Sequence, residues 1–157
     1  MADTKVRVRK ATALLKEDHQ KVKKLFSQFE KLDAARDSDR AQLFDQIRKE
    51  LTIHAQIEEE IFYPAVERAQ DEEADDLVRE AHEEHRIVKT LLEELSALSS
   101  SDLQFDAKIK VLKENVLHHA EEEQDEIFPV FDSLERMERE RISEQLQARK
   151  RELTGEA

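Results

Sequence analysis

The chain has 157 residues, of which 41% are charged and 38% hydrophobic, and its formal net charge is -12. This length allows one domain with a sizeable core, and so acidic a chain is a poor candidate for binding the phosphate backbone of nucleic acids. Because cysteine is absent from the sequence, disulfides, iron–sulfur clusters and thiolate zinc sites are excluded, and any metal must be held by nitrogen and oxygen.

Apolar residues recur at helical spacing in four long segments, separated by polar breaks at 33–39, 70–76 and 99–102. Their apolar stripes consist of Leu15, Val22, Phe26 and Phe29; Phe44, Ile47, Leu51, Ile61 and Phe62; Ala81, Val88, Leu92 and Leu95; and Ile109, Leu112, Val116, Ile127 and Val130. This pattern predicts an all-α, up-down antiparallel four-helix bundle over about residues 10–132. An additional C-terminal helix is predicted at about 133–153, and residues 1–157 are predicted to form a single domain.

No stretch approaches the roughly 20 apolar residues that a membrane-spanning helix needs. The beginning of the sequence also lacks the apolar segment of a secretory signal. We therefore expect a cytoplasmic protein with no membrane partner.

The two halves of the chain are related by an internal repeat. Residues 17–23 align with residues 83–89 at an offset of 66. The residues related by an offset of 65 are His54, Glu58 and Pro64 in the first half, and His119, Glu123 and Pro129 in the second. Each half is therefore predicted to be one helical hairpin that supplies half of any shared site.

Polar residues interrupt the apolar stripes where leucines would otherwise face the bundle axis. A histidine and a glutamate lie one turn apart on the second helix and again on the fourth, and each of the other two stripes contains one histidine. The six candidate metal ligands are His19, His54, Glu58, His85, His119 and Glu123. Any one of them alone is more commonly a surface or structural residue. Together, without lysine or arginine on the same stripes near them, they favour a buried metal site.

The third helix offers a seventh candidate ligand. His82 lies one turn before His85 on the flank of the stripe, and Lys16 occupies the equivalent place in the first half. His82 is either a fifth imidazole that completes one metal, or a residue that is hydrogen-bonded or solvent-exposed outside the ligand set.

The fourth helix is ambiguous on spacing alone, because His118 with Glu122 has the same His-x-x-x-Glu pattern as His119 with Glu123. The repeat and the apolar stripe both favour His119 with Glu123. We therefore predict that His118 is peripheral.

Four imidazoles and two carboxylates favour iron or manganese and exceed the four ligands of a structural zinc site. If both glutamates bridge two metals, each metal has two imidazole nitrogens, two carboxylate oxygens and a shared oxo or hydroxo ligand. One further position on the metal is then open to O2, peroxide or NO. We expect two iron ions with such a bridge, and manganese or zinc are the alternatives.

At these residues the chain resembles the hemerythrin-like, HHE cation-binding family over about residues 14–132. The matching segments are Asp18-His19; His54-Ala55-Gln56-Ile57-Glu58-Glu59 with Phe62-Tyr63-Pro64; Glu84-His85; and His118-His119-Ala120-Glu121-Glu122-Glu123 with Ile127-Phe128-Pro129. The resemblance implies a di-iron site with the same six ligands. It also implies a role in O2 binding or sensing, peroxide breakdown, iron handling or defence against nitric oxide.

Two departures from the family narrow these roles. Oxygen-carrying hemerythrins have His-x-x-x-His on the third helix and end the site with an aspartate, whereas this chain has His82-Glu83-Glu84-His85 and Glu123. Reversible O2 carriage is therefore less well supported than a di-iron site. Relatives that repair iron–sulfur centres have a cysteine-bearing region, whereas this sequence contains no cysteine.

Other helical metal sites do not match. Ferritin-like carboxylate proteins need Glu-x-x-His and zinc metalloproteases need His-Glu-x-x-His, and neither motif occurs in the sequence. Three hypotheses are left: a di-iron protein that binds or consumes O2, peroxide or NO; a non-catalytic iron-sensing or iron-binding module; and a metal-free interaction bundle.

Overall fold

The structure is a computed structural model that describes residues 9–33 and 35–156. Its elements, in chain order, are α1 (Ala11–Glu30), α2 (Asp37–Ile57), the π-helical turn π1 (Glu58–Phe62), α3 (Tyr63–Glu67), α4 (Glu72–Ser96), α5 (Leu103–Glu122), the π-helical turn π2 (Glu123–Ile127), α6 (Phe128–Asp132) and α7 (Arg136–Thr154). The four bundle helices are α1, α2-π1-α3, α4 and α5-π2-α6, and α7 is the additional C-terminal helix. The predicted all-α fold is confirmed, whereas the assignment of residues 1–157 to one domain stays a prediction.

Two π-helical turns, which the sequence analysis did not predict, interrupt the second and fourth bundle helices just after their candidate glutamates. Pro64 and Pro129 lie in the first turn of α3 and α6 and have no N–H to donate to the carbonyl four residues earlier. The backbone instead widens, so that the N–H of Tyr63 bonds the carbonyl of Glu58 and the N–H of Phe128 bonds the carbonyl of Glu123. Both turns therefore begin at a candidate metal ligand.

The predicted stripes pack into two apolar clusters. The first contains the π-turn ends of the bundle and α7, and its largest buried side chains are Leu15, Ile57, Phe62, Tyr63, Phe128, Phe131 and Ile142. The second contains the opposite end, with Phe26, Ile47, Leu95, Phe105 and Leu112 fully buried. The six candidate ligands lie in the layer between these clusters, which shields them from water.

Local capping determines where several helices begin and end. Asp71 accepts a hydrogen bond from the N–H of Ala74, so α4 begins at Glu72, inside the predicted break at 70–76. The carboxylate of Asp102 caps α5 in the same way. Gly155, at φ 77°, ends α7 in the left-handed conformation that glycine adopts without strain.

The helix α7 packs against α1, α2 and π1. Its buried residues Ile142 and Leu146 extend the first apolar cluster, and the hydroxyl of Ser143 accepts a hydrogen bond from the N–H of Ala11 at the start of α1. Among the described residues, no helix is long and apolar enough to cross a membrane.

Candidate metal centre

The structure brings the six predicted ligands together into two groups of metal-binding donors, one formed by His19, His54 and Glu123 and the other by Glu58, His85 and His119. Both glutamates are fully buried, and His54, His85 and His119 are 7–9% exposed. We call the space beside His19 and His54 position A, and the space beside His85 and His119 position B.

The Nε2 atoms of the imidazoles face each other in pairs across this layer. His19 Nε2 lies 3.2 Å from His54 Nε2 in position A, and His85 Nε2 lies 3.2 Å from His119 Nε2 in position B. Each pair joins one histidine from the first or third helix to one from the second or fourth. This is the contribution that the repeat predicted from each hairpin.

Each buried carboxylate contacts two histidines, one at position A and one at position B. Glu58 Oε1 lies 3.0 Å from His54 Nε2 and 3.3 Å from His85 Nε2. Glu123 places Oε1 3.2 Å from His19 Nε2 and Oε2 3.4 Å from His119 Nε2. Both side chains therefore lie between positions A and B.

The donor set fits a bound cation. Within the described residues, no group completes a hydrogen bond to Oε1 or Oε2 of Glu58 or to Oε1 of Glu123. Leaving buried carboxylate oxygens without partners is costly, and a cation between them and the imidazoles would remove that cost. Nitrogen and oxygen donors without sulfur suit iron and manganese.

Outer hydrogen bonds fix the orientation of all four imidazoles. At position A, His19 Nδ1 lies 2.8 Å from Gln124 Oε1, and His54 Nδ1 lies 2.9 Å from Asp18 Oδ2. At position B, His85 Nδ1 lies 3.4 Å from Glu59 Oε1, and His119 Nδ1 lies 2.8 Å from Glu84 Oε2. All four partners are acceptors, so a neutral imidazole donates its proton outward from Nδ1. The lone pair of Nε2 then points at the metal positions.

The sequence pattern did not predict these four outer partners. Asp18, Glu59 and Glu84 stood out only as part of the segments that resemble the family. A signal was nevertheless present, because each outer partner directly precedes or follows a ligand in the chain. Asp18 and Glu84 are related by the offset of 66, as Glu59 and Gln124 are by 65. The repeat therefore duplicates the outer partners together with the ligands.

A cation from α7 reaches this outer layer. Lys150 Nζ lies 2.5 Å from Asp18 Oδ1, and Asp18 is only 3% exposed. Burial raises the pKa of Asp18, but contacts with His54 and Lys150 outweigh it and hold that pKa below its usual range. The ligand stripes of the four bundle helices carry no lysine or arginine near the ligands, and this lysine comes from the fifth helix, α7.

Tyr63 and Phe128 are equivalent in the repeat but differ in chemistry. The Tyr63 hydroxyl donates to Glu123 Oε2 at 2.5 Å and lies 3.3 Å from His85 Nε2. Phe128 stacks on His19 with ring centres 5.9 Å apart. Burial, followed by the nearby carboxylates, raises the pKa of Tyr63 well above its usual value, so it keeps its proton.

Buried carboxylates also raise the pKa of three of the histidines. Burial lowers the pKa of His119, but contacts with Glu123 and Glu84 outweigh it and raise that pKa to about 10. Burial also lowers the pKa of His54 and of His85, and contacts with carboxylates again outweigh it and raise both pKa values. Without a metal, protonated imidazoles therefore balance part of the carboxylate charge.

The two other histidines lie outside both groups. His82 is 42% exposed, contacts Glu59 at 3.7 Å and packs edge-on against the ring of Tyr63. The structure thus places it beside an outer partner of His85 and not among the inward-facing nitrogens. His118 is 76% exposed and pairs with Glu122 on the surface, as its predicted peripheral position requires.

An apolar cavity of about 40 Å³ adjoins the imidazoles on the side of the second apolar cluster. Its apolar lining residues are Val22, Leu51, Ala55, Val88, Val116, Leu117 and Ala120. A larger groove of about 690 Å³ runs between α2 and α4 and shares Leu51, Ala55, His85 and Val88 with the cavity. The groove thus adjoins the cavity on the side of position B.

Three comparisons with known proteins bear on the family and the fold of this chain. A family model described as hemerythrin HHE cation binding domain matches residues 10–131. The crystal structure of a hemerythrin HHE cation binding domain-containing protein from Mycobacterium kansasii superposes with a TM-score of 0.80 at 29% identity, covering 94% of this chain and 88% of that chain. A Nostoc sp. protein described as a DNA nickase is 35% identical over 116 residues, or 73% of this chain and 31% of that protein. This chain therefore spans about a third of the Nostoc relative's length.

Proposed function

This chain belongs to the hemerythrin HHE cation-binding domain family, and we propose that it is a non-haem di-iron protein that binds O2, peroxide or nitric oxide. One observation carries the proposal. Both oxygens of Glu58 and Oε1 of Glu123 are buried without a hydrogen-bond partner among the described residues, and the two carboxylates face four imidazole Nε2 atoms. The biological role would be defence against oxidative or nitrosative stress, by a catalase-like reaction or by sensing.

The residues that would hold the two metals are His19 and His54 at position A, His85 and His119 at position B, and Glu58 and Glu123 between them. Bound iron would supply Lewis-acid and redox chemistry. The protein keeps each Nε2 directed inward through the outer bond at Nδ1. Tyr63 holds a proton at Glu123 Oε2, and the two apolar clusters exclude water from the layer.

The size of the apolar cavity supports a small ligand. About 10–15 Å³ is enough to hold one water molecule, so 40 Å³ accommodates O2, NO or hydrogen peroxide but no bulky organic substrate. The apolar lining favours uncharged ligands over ions, because burying a charge without a partner is costly. The groove between α2 and α4 would admit them from solvent.

The alternative is a non-catalytic module that binds or senses iron with the same ligands. It requires the same two groups of donors but no turnover, so the two hypotheses differ in kinetics and not in metal content. A metal-free interaction bundle has less support, because Glu58 Oε1, Glu58 Oε2 and Glu123 Oε1 would stay without a hydrogen-bond partner among the described residues even with protonated imidazoles nearby.

DNA nicking is not part of the proposal. The Nostoc relative that is described as a nickase extends well beyond the segment that it shares with this chain, which covers 31% of it. A net charge of -12 opposes binding to a phosphate backbone, which needs clustered lysine and arginine. We therefore propose small molecules, and neither nucleic acid nor a membrane, as partners.

Metal content tests the di-iron proposal directly. The protein would be loaded with ferrous iron, exposed to air, desalted and analysed for iron per chain together with its visible spectrum. We expect two irons per chain in the native protein and in His118→Ala, and a loss of iron in His119→Ala. The matched pair compares neighbouring histidines, one exposed and one buried. A colourless native protein without iron would refute the proposal.

Turnover separates the enzyme from the sensor. The iron-loaded protein would be mixed with hydrogen peroxide while an electrode records oxygen release, with an equal concentration of free iron as the reference. Catalase-like activity predicts oxygen release well above the reference. Release no faster than that of free iron would favour the sensing or iron-binding module.

A further inference from the structure

Position A has an outer layer with no net charge. The Nδ1 atom of His19 bonds the neutral amide of Gln124, whereas that of His54 bonds the carboxylate of Asp18. Lys150 forms an ion pair with the same carboxylate at 2.5 Å, and its ammonium group is partly buried, with the side chain 28% exposed. One negative and one positive charge therefore cancel.

Position B has an outer layer with two negative charges. Glu59 bonds His85 Nδ1 and Glu84 bonds His119 Nδ1. Within the described residues, no lysine or arginine lies within 4.0 Å of either carboxylate. Besides His85, Glu59 has the half-exposed imidazole of His82 beside it. The carboxylates of Glu80 and Glu122 cluster with Glu84 and add further negative charge on this side.

This difference in charge arises between equivalent positions of the repeat. Gln124 and Glu59 are equivalent in the repeat, and they bond the equivalent histidines His19 and His85. Asp18 and Glu84 are also equivalent, and they bond the equivalent histidines His54 and His119. Two features break the symmetry among the outer partners: an amide stands in place of a carboxylate at 124, and α7 packs against the first hairpin and carries Lys150 to Asp18.

We propose that the two metal positions are unequal, with position B the tighter one, and that Lys150 and Gln124 together weaken cation binding at position A. The inference rests on the proposed function, because it requires that both positions bind metal. A carboxylate that accepts the Nδ1–H of an imidazole makes its Nε2 more basic and therefore a stronger metal ligand. An amide, or a carboxylate paired with a lysine, has a smaller effect of the same kind. Uncompensated negative charge near a dry site also attracts a cation directly.

The first consequence is that metals bind in sequence. The metal-free protein would be titrated with Co²⁺, followed by calorimetry and by visible absorption of the bound ion. We expect two separate binding steps. His85→Ala should remove the tighter step and His19→Ala the weaker one. Absence of Co²⁺ binding would contradict the proposed function itself, whereas two indistinguishable steps would overturn only the inequality.

Exchanging the outer residues gives the sharper test. Gln124→Glu gives position A the carboxylate that position B already has, and should tighten the weaker step about 10-fold or more. Glu59→Gln makes the reverse change and should weaken the tighter step by a similar factor. Both substitutions are nearly isosteric, and circular dichroism would verify that the helices are retained. If Gln124→Glu changes the tighter step and Glu59→Gln changes the weaker one, the assignment of the two steps to positions A and B is wrong.

Lys150 is a positioning residue that acts through Asp18. Lys150→Met removes the charge while keeping a long apolar stem, and should tighten the weaker step several-fold without moving the tighter one. Arg149→Met is the matched control, because Arg149 also pairs across elements, with Glu60 at 2.9 Å, and Glu60 bonds none of the ligand histidines among the described contacts. A purely structural role for Lys150 would loosen the weaker step, and that result would overturn its assigned part.

Discussion

Asp18 and His54 lie on different bundle helices, yet Asp18 Oδ2 accepts a hydrogen bond from His54 Nδ1 at 2.9 Å. The chain neighbour of Asp18 is another candidate ligand, His19, whose own outer partner comes from the fourth helix. Each imidazole is thus oriented by a helix other than its own. The site is consequently assembled only when the helices pack against one another.

Replacing Asp18 with asparagine tests this relationship. The substitution keeps the shape of the side chain but removes the charge that polarises His54 and pairs with Lys150. We expect Asp18→Asn to reduce the affinity of one of the two metal-binding steps by about 10–100-fold, with the helical content unchanged. Glu17→Gln is the matched control, since Glu17 is exposed and pairs with Arg9 on the surface. Equal effects of the two substitutions would contradict a specific role for Asp18.

The Tyr63 hydroxyl offers a second test, because it donates to the fully buried Glu123 at 2.5 Å. Tyr63→Phe would leave a charged acceptor with one partner fewer and should lower the free energy of unfolding of the metal-free protein by about 1–3 kcal/mol. The ring should still fit, since the repeat has Phe128 at the equivalent place. Urea denaturation with and without metal measures the effect.

Bound metal would occupy the Glu123 oxygens, so we expect the penalty of Tyr63→Phe to be smaller in the loaded protein. Tyr63 is otherwise part of the apolar cluster and is fully buried. If the loss of stability is the same with and without metal, the hydroxyl supports packing alone and not the carboxylate.

The sequence predicts the fold, and the burial of the candidate ligands, well because both depend on residues of strong and periodic character. A charged or imidazole side chain at a core position of a helix has few physical explanations, and the repeat presents the same anomaly twice. Glu58 and Glu123 are fully buried as that argument requires. The choice of His119 over His118 also follows the stripe, since His118 is 76% exposed.

The remaining features depend on contacts between distant segments, which periodicity does not encode. Lys150 lies 132 residues from Asp18, on a helix whose pattern predicts amphipathic packing but not its partner. The π-turns arise where Pro64 and Pro129 remove a backbone donor, and proline alone predicts a break or kink and not this particular rewinding. His82 illustrates the same limit, since its position on the flank of a stripe is compatible with both inward and outward orientations.

Access to the cavity gives a third prediction. Ala55 lines both the groove and the inner cavity, whereas the exposed Thr52 lines the groove alone. Ala55→Leu should narrow the passage and slow NO binding to the iron-loaded protein, measured by stopped-flow absorption, while iron content stays at the native level. Thr52→Leu adds bulk one turn away and should leave the rate nearly unchanged. Unaltered rates in both variants would mean that the ligand enters elsewhere.

Metal binding should release protons, because in the metal-free protein the carboxylates raise the pKa of His119 to about 10 and that of His54 well above its usual 6.5. A raised pKa in the folded state stabilises the metal-free protein fully below about pH 6.5, and this stabilisation is lost as the pH rises towards 10. Metal ligation requires neutral imidazoles, so the affinity changes in the opposite direction and strengthens with rising pH.

Thermal unfolding of the metal-free and Co²⁺-loaded protein, compared in parallel between mildly acidic and mildly alkaline buffers, measures this linkage. The stabilisation by metal, expressed as the difference between the two melting temperatures, should grow as the pH rises. Calorimetric titrations in two buffers with different enthalpies of ionisation would count the protons released. His118→Ala should behave as the native protein, because His118 lies outside both donor groups. A stabilisation that does not change with pH would show that the metal displaces no proton from these imidazoles.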